Sequence, residues 1–396
     1  MSRSSCGSMF SNKAATLQSI KGSINMNVFS KRLVLMLGAS AVFASTSNAT
    51  DMTVVSWGGA YQISQQKAYT EPYSAANGVN FVWDESSGEA VNKLRLQAES
   101  GDISWDVVDV VAADAMRLCD EGLARVIDHD TELAAAPDGT PATQDFGSLV
   151  VSECFVPQIV YSTTWGVRNN VDEWNGAMPT SVCDVFDTEK FPGKRAILSS
   201  AVNNMEWGAY CSRNWNQNPA SMYDLLATEN GQQAALDMWS SIKDDLIFAA
   251  SAADVPQLLA DGEVVMGSTY NGRLFSLIAE TGNTTVEMLW DAQVFDLDGW
   301  IIPANLPADR EAEAMKFLKF ATDTQRLADQ SKYISYGPAR LSSAPLVGKH
   351  AELGIDMAPH MPTDPKNAAN MILTDYEFWA DYRDDIDAKW EAWKAG

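Results

Sequence analysis

The chain carries three histidines, His129, His350 and His360, and none lies beside a nucleophile motif. No G-x-S-x-G, H-E-x-x-H or G-x-x-x-x-G-K-[ST] pattern occurs, so triad, zinc-hydrolytic and Walker-type chemistry lack their usual residues. Trp57-Gly58-Gly59-Ala60-Tyr61 is glycine-rich after an apolar run, but it lacks G-x-G-x-x-G spacing and a basic neighbour. It is a weak phosphate loop. Acids are abundant, with 52 Asp and Glu, yet no spacing singles out a pair for glycoside-type acid–base work. Asp109 stands apart because it lies inside the apolar run Trp105–Ala112 (WDVVDVVA), where an unpaired acid is costly. It must meet a partner such as Arg117 or Arg125, or face a cleft. Ser87 and Asp114 also fall near predicted strand ends. With no C-x-x-C and no Cys/His cluster, no metal or other cofactor is expected. Catalysis is unsupported by these residues rather than excluded.

Those residues sit on alternating strand-like and helix-like stretches. Met52–Trp57, Val79–Trp83 and Trp105–Ala112 read as buried strands, separated by helical segments at about 62–76 and at Ala90–Glu99. A helix-like Ala113–Glu121 stops at Gly122. Val156–Ser162 is a further apolar strand. A second run covers Lys194–Ser199, Gly231–Lys243, Val255–Ala260, Glu263–Tyr270 and Val286–Trp290. Trp300–Pro303 precedes a predicted amphipathic helix from Pro307 to about Ser331, and the aromatic, acidic tail Asp375–Trp393 reads as a helical clamp on the surface. Strand–helix–strand alternation implies parallel sheets covered by helices.

Charge is distributed unevenly. Residues 1–49 hold five basic residues and no acid, then the apolar stretch Leu33–Phe43 and a small-residue exit ending at Ala49. That is the layout of an export signal, cut before Thr50, and Met26 would give it ordinary length with 1–25 as an upstream extension. The stretch is too short to span a bilayer. Export predicts a periplasmic protein. The remainder keeps 23 basic against 52 acidic residues, a net charge of -29, which argues against nucleic acid and favours a cationic ligand. Four cysteines remain after the cut. Three disulfide connectivities are open to them, and Cys119–Cys154 with Cys183–Cys211 is the favoured one.

The order of these segments resembles the spermidine/putrescine-binding branch of the extracellular solute-binding proteins of ABC importers. The resemblance rests on Trp57–Tyr61, Glu85–Leu94 (ESSGEAVNKL), Trp105–Asp128 and Phe191–Arg195 (FPGKR). Gly262–Arg273 (GEVVMGSTYNGR), Asp298–Pro303 (DGWIIP) and Tyr333–Pro338 (YISYGP) complete it. It implies an α/β, two-lobed periplasmic-binding-protein fold of type II, each lobe a mainly parallel sheet flanked by helices, with the ligand cleft between them. Lobe one is expected at 50–160 plus 294–343 and lobe two at 161–293 plus 344–396. The chain is then a monomeric, non-enzymatic receptor that hands a polyamine-like cation to an inner-membrane ABC permease. An enzyme on the same two-lobe scaffold is the competing class, since fold does not fix function.

Carried over position by position, the resemblance assigns Trp57 and Tyr61 to the cleft wall and Glu206 and Asp298 to amine ends. Tyr270 becomes an aromatic face over the ligand and Tyr336 a cleft tyrosine. Ser87 and Asp109 join them from their strand ends. Two departures matter. Gly58-Gly59 replaces an acid, and Arg273 stands where an acidic amine-binding residue can occur. A guanidinium is a poor neighbour for a second ammonium and a good bidentate partner for a carboxylate. The alternative ligand is therefore zwitterionic, opine-like or amino-acid-like.

Overall fold

A computed structural model describes residues 51–213 and 221–396; the expected export signal at 1–49 lies outside them. Among the described residues, eight strands of four or more residues organise the sheet. They are β1 (Asp51–Val55), β2 (Asn80–Asp84), β3 (Val107–Val111), β4 (Val156–Arg168), β5 (Arg195–Leu198), β6 (Leu246–Ala249), β7 (Met266–Tyr270) and β8 (Val286–Ile301). Val54, Val55, Val107, Val108 and Val110 are wholly buried, as β-branched residues are in strands covered on both faces.

The strands join in the order β2-β1-β3-β8-β4-β7-β5-β6, the sheet of a two-lobed periplasmic-binding-protein fold. The outer pairs β1–β2, β1–β3, β5–β6 and β5–β7 are parallel. The centre departs from the parallel expectation: β3–β8, β4–β8 and β4–β7 are antiparallel. The reason is the route of the chain. β4 carries it one way and β8 brings it back, paired from Val156 opposite Trp300 to Arg168 opposite Val286. On one side of these strands Met52, Tyr69, Val107, Trp300 and Phe317 form a core. On the other, Trp165, Trp207, Trp239, Trp379 and Trp390 form a second.

Three elements differ from their sequence reading. The first helix starts at Gly59 rather than 62 and passes through a π turn, Gln66–Thr70, just before Pro72, which has no N–H for the preceding turn. The helix expected over Pro307–Ser331 is two, Ala308–Ala321 and Thr324–Gln330. Asp323 breaks it by accepting from the backbone N–H groups of Gln325 and Arg326, a cap that outcompetes helical continuation. The tail helix Tyr376–Ala395 lies on the surface as read but does more than clamp it: its acidic face is exposed, while Phe378, Trp379, Ile386 and Trp390 are buried within the second core. Cys119–Cys154 and Cys183–Cys211 are the disulfides, with Cα atoms 5.7 and 5.3 Å apart.

Candidate functional site

Parallel sheets place their ligands beyond the C-terminal ends of the strands, and a cavity of this protein lies there. It holds about 540 Å³ where the ends of β1, β3 and β7 meet the crossing strands, and its wall includes Trp57, Tyr161, Tyr270, Arg273, Asp298 and Tyr336. Side chains alternate along a strand, so one face of β3 and β8 runs from core to cavity. Val107 and Trp300 pack inward, while further along the same face stand Asp109, then Val111 opposite Asp298. Val111 and Asp298 reach the cavity.

The turn after β1 depends on two glycines. Gly58 and Gly59 have φ of +71° and +58°, and a Cβ on Gly58 would lie 3.0 Å from the Glu85 carboxylate. The turn brings Trp57, 38% exposed, and Tyr61 together on the cavity wall. Tyrosine rings then line the space in sequence. Tyr61 lies 5.8 Å from Tyr336, Tyr336 lies 6.0 Å from Tyr161, and Tyr161 meets Tyr270 edge-on at 5.5 Å. Close approach at Gly272 is obligatory, since a Cβ there would fall 2.7 Å from the Tyr336 ring. The Arg273 guanidinium sits 5.9 Å from the Tyr270 centroid. It is exposed, and no described carboxylate lies within ion-pair distance of it.

Two buried carboxyls, Asp109 and Asp298, and a half-buried third, Asp296, surround the other end. Asp109 meets neither Arg117 nor Arg125; its partners are neutral donors. Trp57 Nε1 donates to it at 3.1 Å, Tyr61 OH at 2.9 Å, and Gln65 Nε2 also donates. Arg125 is engaged with Glu132 and Glu311 instead. Gln65 is oriented in turn by Ser56 Oγ, which donates to its Oε1 at 2.6 Å. Asp296 accepts from Tyr161 OH at 2.9 Å, Tyr376 OH at 2.8 Å and the Leu297 N–H at 2.8 Å. Asp298 is 7% exposed and its Oδ1 has no partner. Burial pushes the Asp109 carboxyl up, against the pull of its three donors. Burial, then the neighbouring Asp109 and Asp296, hold Asp298 well above the usual carboxylate range. Burial also raises Tyr61, Tyr161, Tyr270 and Tyr336, so these phenols stay neutral.

Of the nominated residues, Trp57, Tyr61, Tyr270, Arg273, Asp298 and Tyr336 come together on one cavity wall, with Asp109 directly behind Trp57 and Tyr61. Glu206 does not join them. It is enclosed in the second core, where its Oε1 accepts from Trp379 Nε1 at 2.8 Å and Tyr223 OH at 3.1 Å. Ser87 is likewise buried off the cavity, in a short turn before the helix Ala90–Ser100. Sequence reasoning passed over Tyr161 and its anchor Asp296. The signal was available: Gln158 and Tyr161 interrupt the apolar opening of the strand, Val156–Tyr161. Among the described residues no cluster of His, Cys, Asp and Glu is arranged to hold a metal ion.

The arrangement offers a hydrophobic, tyrosine-lined space with a carboxyl at one end and a guanidinium on its wall. Known proteins of this kind are receptors. The γ-aminobutyric-acid-binding protein of Pseudomonas aeruginosa is 29% identical over 369 residues, covering 93% of this chain and 97% of its own length. The binding protein MotA of A. tumefaciens B6, solved with glucopine, superposes with a TM-score of 0.72 at 25% identity, covering 87% of this chain and 100% of that one. A solved GABA receptor superposes with a TM-score of 0.71 at 27% identity, covering 87% of this chain and 98% of the receptor. These likenesses carry the broad family and leave the polyamine branch without particular support. Residues 68–363 match the family described as bacterial extracellular solute-binding protein, and the chain belongs to that family, the ligand receptors of ABC importers.

Proposed function

We propose that this protein captures a small ligand bearing both an amine and a carboxylate and delivers it to an ABC permease. The observation that carries this reading is the charge layout of the cavity wall: Asp298 is its one acid, with an unpartnered oxygen, and Arg273 its one base, with no carboxylate at hand. An ammonium at Asp298 and a carboxylate at Arg273 would satisfy both, with the carbon skeleton against the tyrosine rings. A plain diamine would leave its second ammonium facing a guanidinium. The relatives named for γ-aminobutyric acid and glucopine support the same ligand chemistry and favour it over putrescine or spermidine.

In this reading the lobes are 50–160 with 294–343 and 161–293 with 344–396, closing by a hinge in β4 and β8. The protein works in the periplasm as a monomer. Thermal-shift screening tests the ligand class. A ligand at 100 times its dissociation constant adds about 2.7 kcal/mol to the stability of a two-state fold. γ-Aminobutyric acid, other ω-amino acids and opines should raise the melting temperature, and putrescine and spermidine should do so less. Stabilisation by polyamines alone would overturn the reading.

A further inference from the structure

We propose that the ligand's amine enters this cleft in exchange for a proton: Asp109 and Asp298 together hold one proton in the empty protein, carried on Asp298, and an ammonium group takes its place. The proposal deepens the amine reading of the same site and rests on it.

The geometry is that of two buried carboxyls on one face of the paired strands β3 and β8, Asp109 opposite Trp300 and Asp298 opposite Val111, with Asp298 facing the cavity. Their environments differ. Asp109 is surrounded by donors, Trp57 Nε1, Tyr61 OH and Gln65 Nε2, and donors favour the ionised form. These donors are themselves fixed, because Gln65 is held by Ser56 and lies in a network with Gln158 and Gln330. Asp298 has an oxygen without any donor, and it is the one of the two that lines the cavity. Two charges in such a pair cannot both be borne, and the proton goes to the carboxyl with fewer donors.

The other groups facing Asp298 do not neutralise it. From β8 comes Asp296, a third acid that disfavours its charge; from the first helix Tyr61, from β4 Tyr161 and from β7 Tyr270, all neutral phenols. Tyr336 is neutral too, and Arg273 stands over the Tyr270 ring. Burial works in the same direction by raising both carboxyls. The exchange balances: Asp298–COOH and an ammonium ligand become an Asp298–COO⁻···⁺H₃N ion pair, and the proton passes to buffer. Asp109 acts through Asp298 and is a positioning residue. A neutral hydrogen-bonding ligand has no charge to offer for the proton, so the device also selects for cations.

Isothermal titration calorimetry in buffers of differing ionisation enthalpy counts the protons directly. The mature protein is titrated with a panel of γ-aminobutyric acid, an opine and putrescine. Any amine that binds should release close to one proton at pH 6, and its apparent Kd should tighten about tenfold per pH unit on the acid side of the empty cleft's titration. Binding whose heat is independent of buffer across pH 5 to 7 overturns the proton exchange while leaving the amine reading intact. A panel in which no amine binds overturns both. Asp109→Asn removes the like charge but not the burial, so it should bind the same amine with clearly less proton release than the wild type at the same pH; release undiminished in that variant overturns the role given to Asp109. If that variant does not fold, the wild-type proton count decides on its own.

Discussion

Two carboxyl groups, Glu206 and Asp298, are both buried and both shifted upward, yet they belong to different kinds of place. Glu206 sits among the tryptophans of one core, with Trp379 Nε1 and Tyr223 OH donating to a single oxygen. Asp298 sits at the edge of the other core, where β3 and β8 run out into the cavity, and its Oδ1 meets nothing. Burial raises both carboxyls, and Glu206 too has an oxygen, Oε2, without a partner. What differs is the vacancy: only Asp298 has space beside it for a cation. A perturbed acid marks a binding site when its environment leaves room for a partner, not merely when its ionisation is costly.

The largest separation between the two should come from replacing each by its amide. Asp298→Asn should weaken amine binding by about 2–5 kcal/mol, at least about thirtyfold in Kd, while leaving the melting temperature of the empty protein unchanged or raised. Glu206→Gln should do the reverse, keeping affinity and changing stability with pH. Its carboxyl, ordinarily at 4.5, is pushed up to about 7 in the folded protein by burial. An acid whose folded value exceeds its unfolded value confers stability that is complete below about 4.5 and is lost as pH rises through 7. The loss is on the order of 3 kcal/mol for a fully buried group. Chemical denaturation at pH 4.5 and pH 8 should therefore show the amide equal to wild type at the lower pH and more stable at the higher. Loss of ligand binding in Glu206→Gln would erase the distinction between the two sites.

Arg273 sharpens the comparison from the opposite wall. Arg273→Ala should cost a zwitterionic ligand about 1.5–3 kcal/mol, the usual worth of a hydrogen bond to a charged group, and should leave or improve binding of putrescine. Calorimetry with both ligands reads the difference. Equal losses for the two would mean that Arg273 supports the cavity through Tyr270 and contacts no carboxylate.

The elements were legible in the sequence wherever apolar, β-branched runs made them so, as in Met52–Val55 and Val107–Val111. Turn chemistry was legible too, because Gly58-Gly59 could only be a break. Partner identity was not. Whether Asp298 faces Asp109 depends on the antiparallel pairing that sets Val111 opposite Asp298, almost half the chain apart, and local pattern carries no record of that register. Glu206 misled for the same reason. Its donors include Trp379, 173 residues away on the tail helix, whose apolar face is part of the second core. Tyr161 was overlooked because a tyrosine in an apolar strand passes for core until Asp296, paired with it across β4 and β8, shows why it carries a hydroxyl.

The smallest expected effect tests whether Asp296 belongs with Glu206 or with Asp298. Its carboxylate is satisfied by Tyr161, Tyr376 and the Leu297 N–H, so by the argument above it is structural, although it lies only two residues from Asp298. Tyr161→Phe keeps the ring against Tyr270 and Tyr336 and removes one of three donors to Asp296. The fold should lose about 1 kcal/mol, and ligand affinity should fall by no more than about fivefold, because the hydroxyl is committed to Asp296 rather than to the ligand. Calorimetric affinity alongside denaturation measures both. A loss of affinity far exceeding the loss of stability would show that the hydroxyl turns to the ligand in the closed form, and Asp296 would then belong to the cavity side of the comparison.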